Sequence, residues 1–281
     1  MAQSFSELVE AQIASNKTKL PVFQGAEAKL QQMLANPPDS SEPLERAISS
    51  DAVLASAVLR VANSSFYGGL AQVKTVRDSL LRLGMDQVTR IALVVSQQAA
   101  YRVQTAALAP MVGTLWKHAL ATALGAQWLA QRSGRGDLAG EAFLAGMLHD
   151  IGKLLVIRVM DDLHVARADF KPPPQLVTEL LSGMHARHGA ALAKLWNLPE
   201  SFARVIEHHH DPQPADSDTL LMTVRLADHA ANALAFGLGA KPEGQLAATL
   251  EAQALEIDEI AVAELEIQIE DSLAAFATIG A

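Results

Sequence analysis

From end to end the chain repeats apolar residues at helical spacing, and nowhere does it alternate apolar with polar residues long enough to build a sheet. Leu44, Ala47 and Ile48 fall on one face of a short segment. Val53, Leu54, Ala57, Val58 and Val61 do the same in the next, and Asp51 stands where its N-cap belongs. Breakers separate such segments: Asn16-Lys17-Thr18-Lys19, Asn36-Pro37-Pro38-Asp39, Gly84, Ser133-Gly-Arg-Gly136 and Asp211-Pro-Gln-Pro214. Helices are therefore expected over about residues 4–15, 20–35, 42–50, 52–62, 75–83, 86–101, 108–132, 137–148, 153–163, 175–182, 185–196, 200–209 and 217–236, with two more within 247–278. Leu20-Pro21-Val22 opens the second of these, and Lys171-Pro-Pro-Pro174 reads as a hinge or spacer. The expected fold is all-α.

A chain of 281 residues, 50% of them hydrophobic, can bury a sizeable core as one large domain or two packed lobes. Its 22 Lys and Arg against 31 Asp and Glu leave a formal charge of −9, which disfavours non-specific binding to nucleic acid or anionic membranes. There is no cysteine, so disulfides, thiolate catalysis and iron–sulfur clusters are excluded. Val103 to Trp116 comes nearest to a membrane span, but Pro110 and Gly113 interrupt it well short of the ~18 apolar residues required. The N-terminus lacks the basic region and apolar run of a signal peptide, so a cytoplasmic protein is expected.

One stretch carries chemistry. Glu141-Ala-Phe-Leu-Ala-Gly-Met-Leu-His-Asp-Ile-Gly-Lys153 runs as an apolar helix into His149-Asp150. An imidazole beside a carboxylate at the end of a buried segment suits a divalent metal. One such pair cannot complete a coordination shell. Further candidates stand at His118, His185, His208, His209 and Asp228. Taken singly each has a plainer reading: core histidines, an exposed helix end at His208-His209-His210, a helix–helix hydrogen bond from Asp228. Their order (His, His-Asp, His, His-His, Asp over about 110 residues) argues for a shared site. Such a site supports metal-assisted phosphoester hydrolysis, with two ions bridged through Asp150. Lys153 either faces a bound phosphate or is a solvated lysine opening a helix.

The His149-Asp150 motif resembles the HD superfamily of metal-dependent phosphohydrolases. The N-terminal half narrows this: Leu20-Pro21, Ile48-Ser-Ser-Asp51, Leu59-Arg-Val-Ala-Asn-Ser-Ser65 and Val76-Arg-Asp-Ser-Leu-Leu-Arg-Leu-Gly84 resemble the HDOD family, the HD-related output domain of bacterial signalling proteins. Glu179-x-x-x-Gly183-x-His185-x-x-x-Gly189-Ala190, Trp196-Asn-Leu-Pro199 and Ile206-Glu-His-His209 are similar to the same family, so the resemblance spans about residues 18–235. It implies two packed helical lobes, the second an HD-type bundle, and a regulatory role. Many members of that family have lost the metal ligands, and this sequence keeps the whole series. The chain is also similar to HD-GYP phosphodiesterases at His118, His149, Asp150, Lys153, His185, His208, His209 and Asp228. It lacks their Gly-Tyr-Pro signature after the histidines, and Thr114 stands where some relatives place a glutamate.

The resulting expectation is an N-terminal helical lobe over 1–105, an HD-like lobe with the metal series over 106–240, and acidic helices over 241–281. The expected metal ligands are His118, His149, Asp150, His185, His208, His209 and Asp228, with Asp150 and Lys153 as catalytic groups should the site be active. They would hold one or two divalent ions drawn from Fe, Mn, Zn, Ni or Mg. A signal-transduction module that meets a signalling protein or a small phosphorylated ligand is the first reading. A metal-dependent phosphohydrolase or phosphodiesterase on a nucleotide-like substrate is the alternative, and a purely structural metal the third. For the regulatory reading, Asn63-Ser-Ser-Phe-Tyr-Gly-Gly69 is the candidate surface, its glycines letting the backbone bend and its two rings either exposed or packed beneath the loop.

Overall fold

The computed structural model describes residues 4–15, 20, 26–35, 38–67, 72–98, 100–167, 169–212, 214, 218–238, 241 and 244–277. The expected polar break at 16–19, the opening at Pro21-Val22, the stop at Asn36-Pro37, loop positions Gly68-Gly69, and Gln213 lie outside them. In chain order the helices are α1 Phe5–Ala14, α2 Ala26–Ala35, α3 Glu42–Ser49, α4 Ala52–Ala62, α5 Val76–Gln98, α6 Ala109–Arg132, α7 Ala139–Leu148 and α8 Ile151–Ala166. There follow α9 Pro174–Leu195, α10 Glu200–His208, α11 Thr219–Ala233, α12 Leu250–Ala254 and α13 Glu259–Ala277. The described residues contain no strand, and the all-α expectation holds. No described helix is long and apolar enough to cross a membrane.

The chain divides into two compact units: residues 1–20 with 101–266, and residues 21–100 with 267–281. In the smaller unit α2, α3 and α4 all pack on α5. Leu44, Ile48, Ala57, Val58, Val61, Val88 and Ile91 are fully buried there, which is the helical spacing seen in the sequence turned into a core. Asp51 caps α4 as expected, its carboxylate accepting from the Val53 and Leu54 amides at 2.8 and 3.1 Å. Gly84 interrupts α5 at φ +80°, a conformation open to glycine, so the two helices expected on either side of it meet end to end. Asn63 ends α4 and mimics a strand partner: its Nδ2 donates to the Val73 carbonyl and its Oδ1 accepts from the Val73 amide, both at 2.8 Å. The two rings of the intervening loop part company. Tyr67 is half-buried and accepts from Gln87 Nε2 at 2.8 Å, whereas Phe66 stands edge-on to it with 38% of its surface exposed.

The larger unit is built on two tight helix pairs, α6 with α7 and α8 with α9. Each pair closes over a glycine. A methyl group on Gly146 of α7 would sit 2.8 Å from the Ala123 Cα of α6. One on Gly152 of α8 would sit 1.9 Å from the His185 carbonyl oxygen of α9, and one on Gly189 would meet Ile206 at 2.7 Å. The α9 helix corrects the sequence reading, which splits it near residue 183. Gly183 costs an exposed helix about 1 kcal/mol relative to Ala. The apolar face of Val177, Leu180, Leu181 and Met184 is buried continuously past it, and that burial outweighs one glycine. Asp161 of α8 accepts from the Gln104 and Thr105 amides at 2.9 and 2.8 Å, tying the entry of α6 to the same bundle.

Because the Gly152 contact is with backbone, no side chain can move aside to admit a methyl group. Gly152→Ala should destabilise the protein by at least about 3 kcal/mol, at or above the usual cost of overpacking. Gly183→Ala, where nothing lies within 4 Å, should instead be neutral or slightly stabilising. Urea unfolding of the two variants checks the pair; equal midpoints would show that the crossing is not tight.

Candidate metal centre

Six buried side chains from five places in the larger unit converge. His118 comes from the middle of α6, His149 and Asp150 from the junction of α7 and α8, His185 from α9, His209 from the end of α10, and Asp228 from α11. None is more than 3% exposed. Gly146 and Gly152 flank the His149-Asp150 junction, so the two close helix crossings bring α6 and α9, with His118 and His185, to either side of it.

Three imidazoles are aimed by their own backbone. His149 Nδ1 lies 2.7 Å from the Gly146 carbonyl, His185 Nδ1 2.8 Å from Leu181 and His209 Nδ1 2.9 Å from Ile206. A carbonyl only accepts, so each Nδ1 carries the hydrogen and donates it, and in the neutral ring the Nε2 lone pair points into the cluster. Asp150 divides its carboxylate between two groups. Its Oδ1 faces His185 Nε2 and His209 Nε2 at 3.6 and 3.4 Å; its Oδ2 faces His118 Nε2 and His149 Nε2 at 3.5 and 3.4 Å. On the second side Asp228 Oδ1 lies 3.0 Å from His118 Nε2 and 3.8 Å from His149 Nε2. His210 joins the first group at the rim, with its ring 4.0 Å from that of His209.

The electrostatics of these groups suit a cation. Burial alone would raise the Asp150 carboxyl, but the Lys153 ammonium and the His149 imidazole hold it well below the usual carboxylate range. Burial would raise Asp228 too, and the hydrogen bond from His118 outweighs it. Burial pushes His185 down to about 4, so it is neutral at pH 7. His210 is pushed down to about 3 by burial of its ring and by His209 beside it, although solvent at the exposed rim screens that effect. Asp150 Oδ1, His185 Nε2 and His209 Nε2 are all buried without a hydrogen-bond partner among the described residues. Each such atom costs about 1–3 kcal/mol. Around a tetrahedral ion with bonds of about 2.0–2.1 Å, donor atoms stand about 3.3 Å apart. The observed spacings of 3.0–3.8 Å in one group span that value, and those of 3.4–3.6 Å in the other lie just above it. The residues present fit one metal ion in each group, with Asp150 between them.

Of the expected ligands, His118, His149, Asp150, His185, His209 and Asp228 come together. His208 does not. Successive helical side chains point about 100° apart, and His208 turns outward, 43% exposed, to pair with Asp211 at 2.8 Å. His210, in the turn beyond α10 and not among the expected ligands, stands in the group where His208 was expected. The sequence signal for this was the Asp211-Pro212 stop, which lets the chain bend just after the second of the inward-facing histidines. Lys153 is not a free solvated lysine: its Nζ donates to Asp150 Oδ2 at 2.6 Å. Asn232, unnoticed in the sequence, stands one turn past Asp228 and donates to its Oδ1 at 2.8 Å. Tyr101 was missed as well; burial pushes its phenol up, with the nearby Asp150 charge adding to the effect.

An all-helical bundle with a buried His/Asp cluster around one His-Asp junction defines the class, and the comparisons name it. The HDOD domain model matches residues 20–212, and the chain belongs to that family. An HDOD domain protein of Geobacter sulfurreducens superposes with a TM-score of 0.74 at 22% identity, over 98% of this chain and 96% of its own. A chain of Shewanella amazonensis SB2B, described as a candidate metal-dependent phosphohydrolase, gives 0.70 at 19% identity over 96% and 97%. A candidate signal transduction protein of Marinobacter aquaeolei VT8 gives 0.68 at 22% identity, over 99% of this chain and 67% of that one. A curated relative from Treponema pallidum (strain Nichols), described only as an uncharacterized protein, is 24% identical over 237 residues. The match takes in 80% of this chain and 45% of that relative's length.

A depressed histidine has a definite signature in the metal-free protein. The unfolded chain protonates His185 near pH 6.5, the folded protein only near 4. The stability from its neutral form is therefore complete above about pH 6.5 and is lost as the pH falls to about 4, on the order of 3 kcal/mol in all. Urea midpoints measured from pH 7 to pH 4 should fall across that window, and should fall less in His185→Gln. Parallel profiles for the two proteins would assign the slope to other groups.

Proposed function

We propose that this chain is a regulatory HDOD module whose larger unit carries a two-ion metal centre, and that its smaller unit makes contact with a signalling protein. What supports the centre is one observation: Asp150 splits its two oxygens between two sets of imidazole nitrogens, three of which are aimed by backbone carbonyls. Asp150, His185, His209 and His210 would hold one ion, and His118, His149 and Asp228 the other, with Asp150 shared. Imidazole-rich donors favour Fe, Zn or Ni over Mn or Mg. In the smaller unit, Asn63 clamps both ends of a loop that leaves Phe66 partly exposed, a fixed apolar contact for a partner.

A phosphohydrolase is the second reading. The ions would supply Lewis acidity and a water of lowered pKa. The chain's own part would fall to Lys153 and His210: an ammonium 2.6 Å from Asp150 and an imidazole at the exposed rim, both suited to a phosphate arriving from solvent. A nucleotide-like phosphoester is the substrate class that suits such a site.

Purified protein should retain about two equivalents of transition metal, and chelation should lower its melting temperature. At free metal 100-fold above Kd the stabilisation is about 2.7 kcal/mol. His149→Ala should abolish the metal effect and keep the helical circular dichroism spectrum. Complementation separates the two readings. A regulator keeps its phenotype in the His149→Ala/Asp150→Ala double variant and loses it in Phe66→Glu; an enzyme does the reverse. A null double variant, folded and at normal abundance, would overturn the regulatory reading, and a panel of phosphomonoesters and phosphodiesters would then identify the substrate.

A further inference from the structure

We infer that Arg225 and Glu251 position the His209–His210 pair, and that the helical segment carrying Glu251 is thereby a working part of one half of the metal centre; the inference rests on the two-ion reading above. Both residues lie beyond residues 20–212, which the family model matches.

Arg225 stands on α11 one turn before Asp228 and is 7% exposed. Its Nη1 donates to the carbonyls of His209 at 2.7 Å and Asp211 at 2.9 Å. Its Nε donates to Glu251 Oε1 at 2.7 Å, and Glu251, on α12, is 3% exposed. The carbonyls at a helix C-terminus have no partner within the helix, and His209 is the C-cap of α10. Left alone, such a turn frays. Here a buried guanidinium satisfies it with charge-assisted hydrogen bonds, and Glu251 holds the guanidinium plane in place. On the outer side His208 and Asp211 close the same turn through their side chains. The turn that carries His209 and His210 is thus pinned on both sides, and Arg225, held by Glu251, acts on it through its backbone carbonyls.

The clamp is selective. It holds the backbone of the turn bearing His209 and His210, which belong with Asp150 and His185. His118 and His149 are carried by α6 and the α7–α8 junction, and Asp228 is held by Asn232. Loss of Glu251 should therefore loosen one ion and spare the other, whereas a purely structural role would weaken both together or neither.

The test is a cobalt(II) titration of the 281-residue protein, followed by the visible d–d absorption. Wild type should take up two equivalents. Glu251→Ala should bind one of them at least 10-fold more weakly and the other within 2-fold of wild type. Glu251→Gln, whose Oε1 still accepts from Arg225, should recover most of the loss. Arg225→Lys, which cannot reach two carbonyls and Glu251 at once, should resemble Glu251→Ala. Equal weakening of both equivalents, or no weakening in a folded variant, overturns the inference. Should wild type take up no cobalt, the two-ion reading itself fails, and the positioning claim is read in the metal-free protein by hydrogen exchange. The His209 and Asp211 amides, bonded to the Val205 and His208 carbonyls at 3.0 Å, should then exchange at least 10-fold faster in Glu251→Ala, with α6 and α7 unchanged. Unaltered exchange at those two amides would overturn it.

Discussion

The larger unit depends on two places where helices touch through glycine. At Gly146 α7 lies against the backbone of α6, and at Gly152 α8 lies against the backbone of α9. Between them, over five residues, sits the His149-Asp150 junction. A side chain at either glycine would push a helix outward. Because His118 and His185 ride on those two helices, the donor atoms would separate by a comparable distance. A coordination shell tolerates only a few tenths of an ångström. Helix packing and site geometry are therefore the same constraint.

That arrangement carries an electrostatic cost. Two carboxylates held well below their usual range are buried among imidazoles, with Lys153 the nearest ammonium. Lone pairs on Asp150, His185 and His209 face one another without hydrogens between them. Such a cluster destabilises a fold unless something positive fills it. The surrounding apolar core, with Phe143, Leu144, Met147, Leu148 and Ile157 essentially fully buried, is what lets the protein hold the donors in place. Backbone carbonyls then take up the outer nitrogen of three rings, so the inner nitrogens cannot rotate away. The cluster has the preorganisation of a site and the energetics of an unsatisfied core.

The smaller unit works by different physics. It has a compact apolar core around α5 and a loop whose ends are joined by a side-chain amide rather than by a strand. The Phe66-Tyr67 pair is split, with Tyr67 turned inward to Gln87 and Phe66 partly exposed.

Helical periodicity, caps and breakers act over a few residues, and so the sequence by itself determined the all-α class, the Asp51 cap, the stop at Gly84 and the helices on either side of His149-Asp150. The order of His and Asp residues also pointed to six of the side chains that converge. Where the reading went astray, the answer depended on contacts distant in sequence. Continuous burial of one face carries α9 through Gly183, and local propensity cannot register that burial. Which two of three adjacent histidines turn inward depends on how α10 ends, and that end is held by Arg225 from α11 and, through it, by Glu251 from α12. A side chain's identity is written in the sequence, but its direction at a helix end is decided by whatever satisfies the free carbonyls there. For this protein only the tertiary structure brings that group into place.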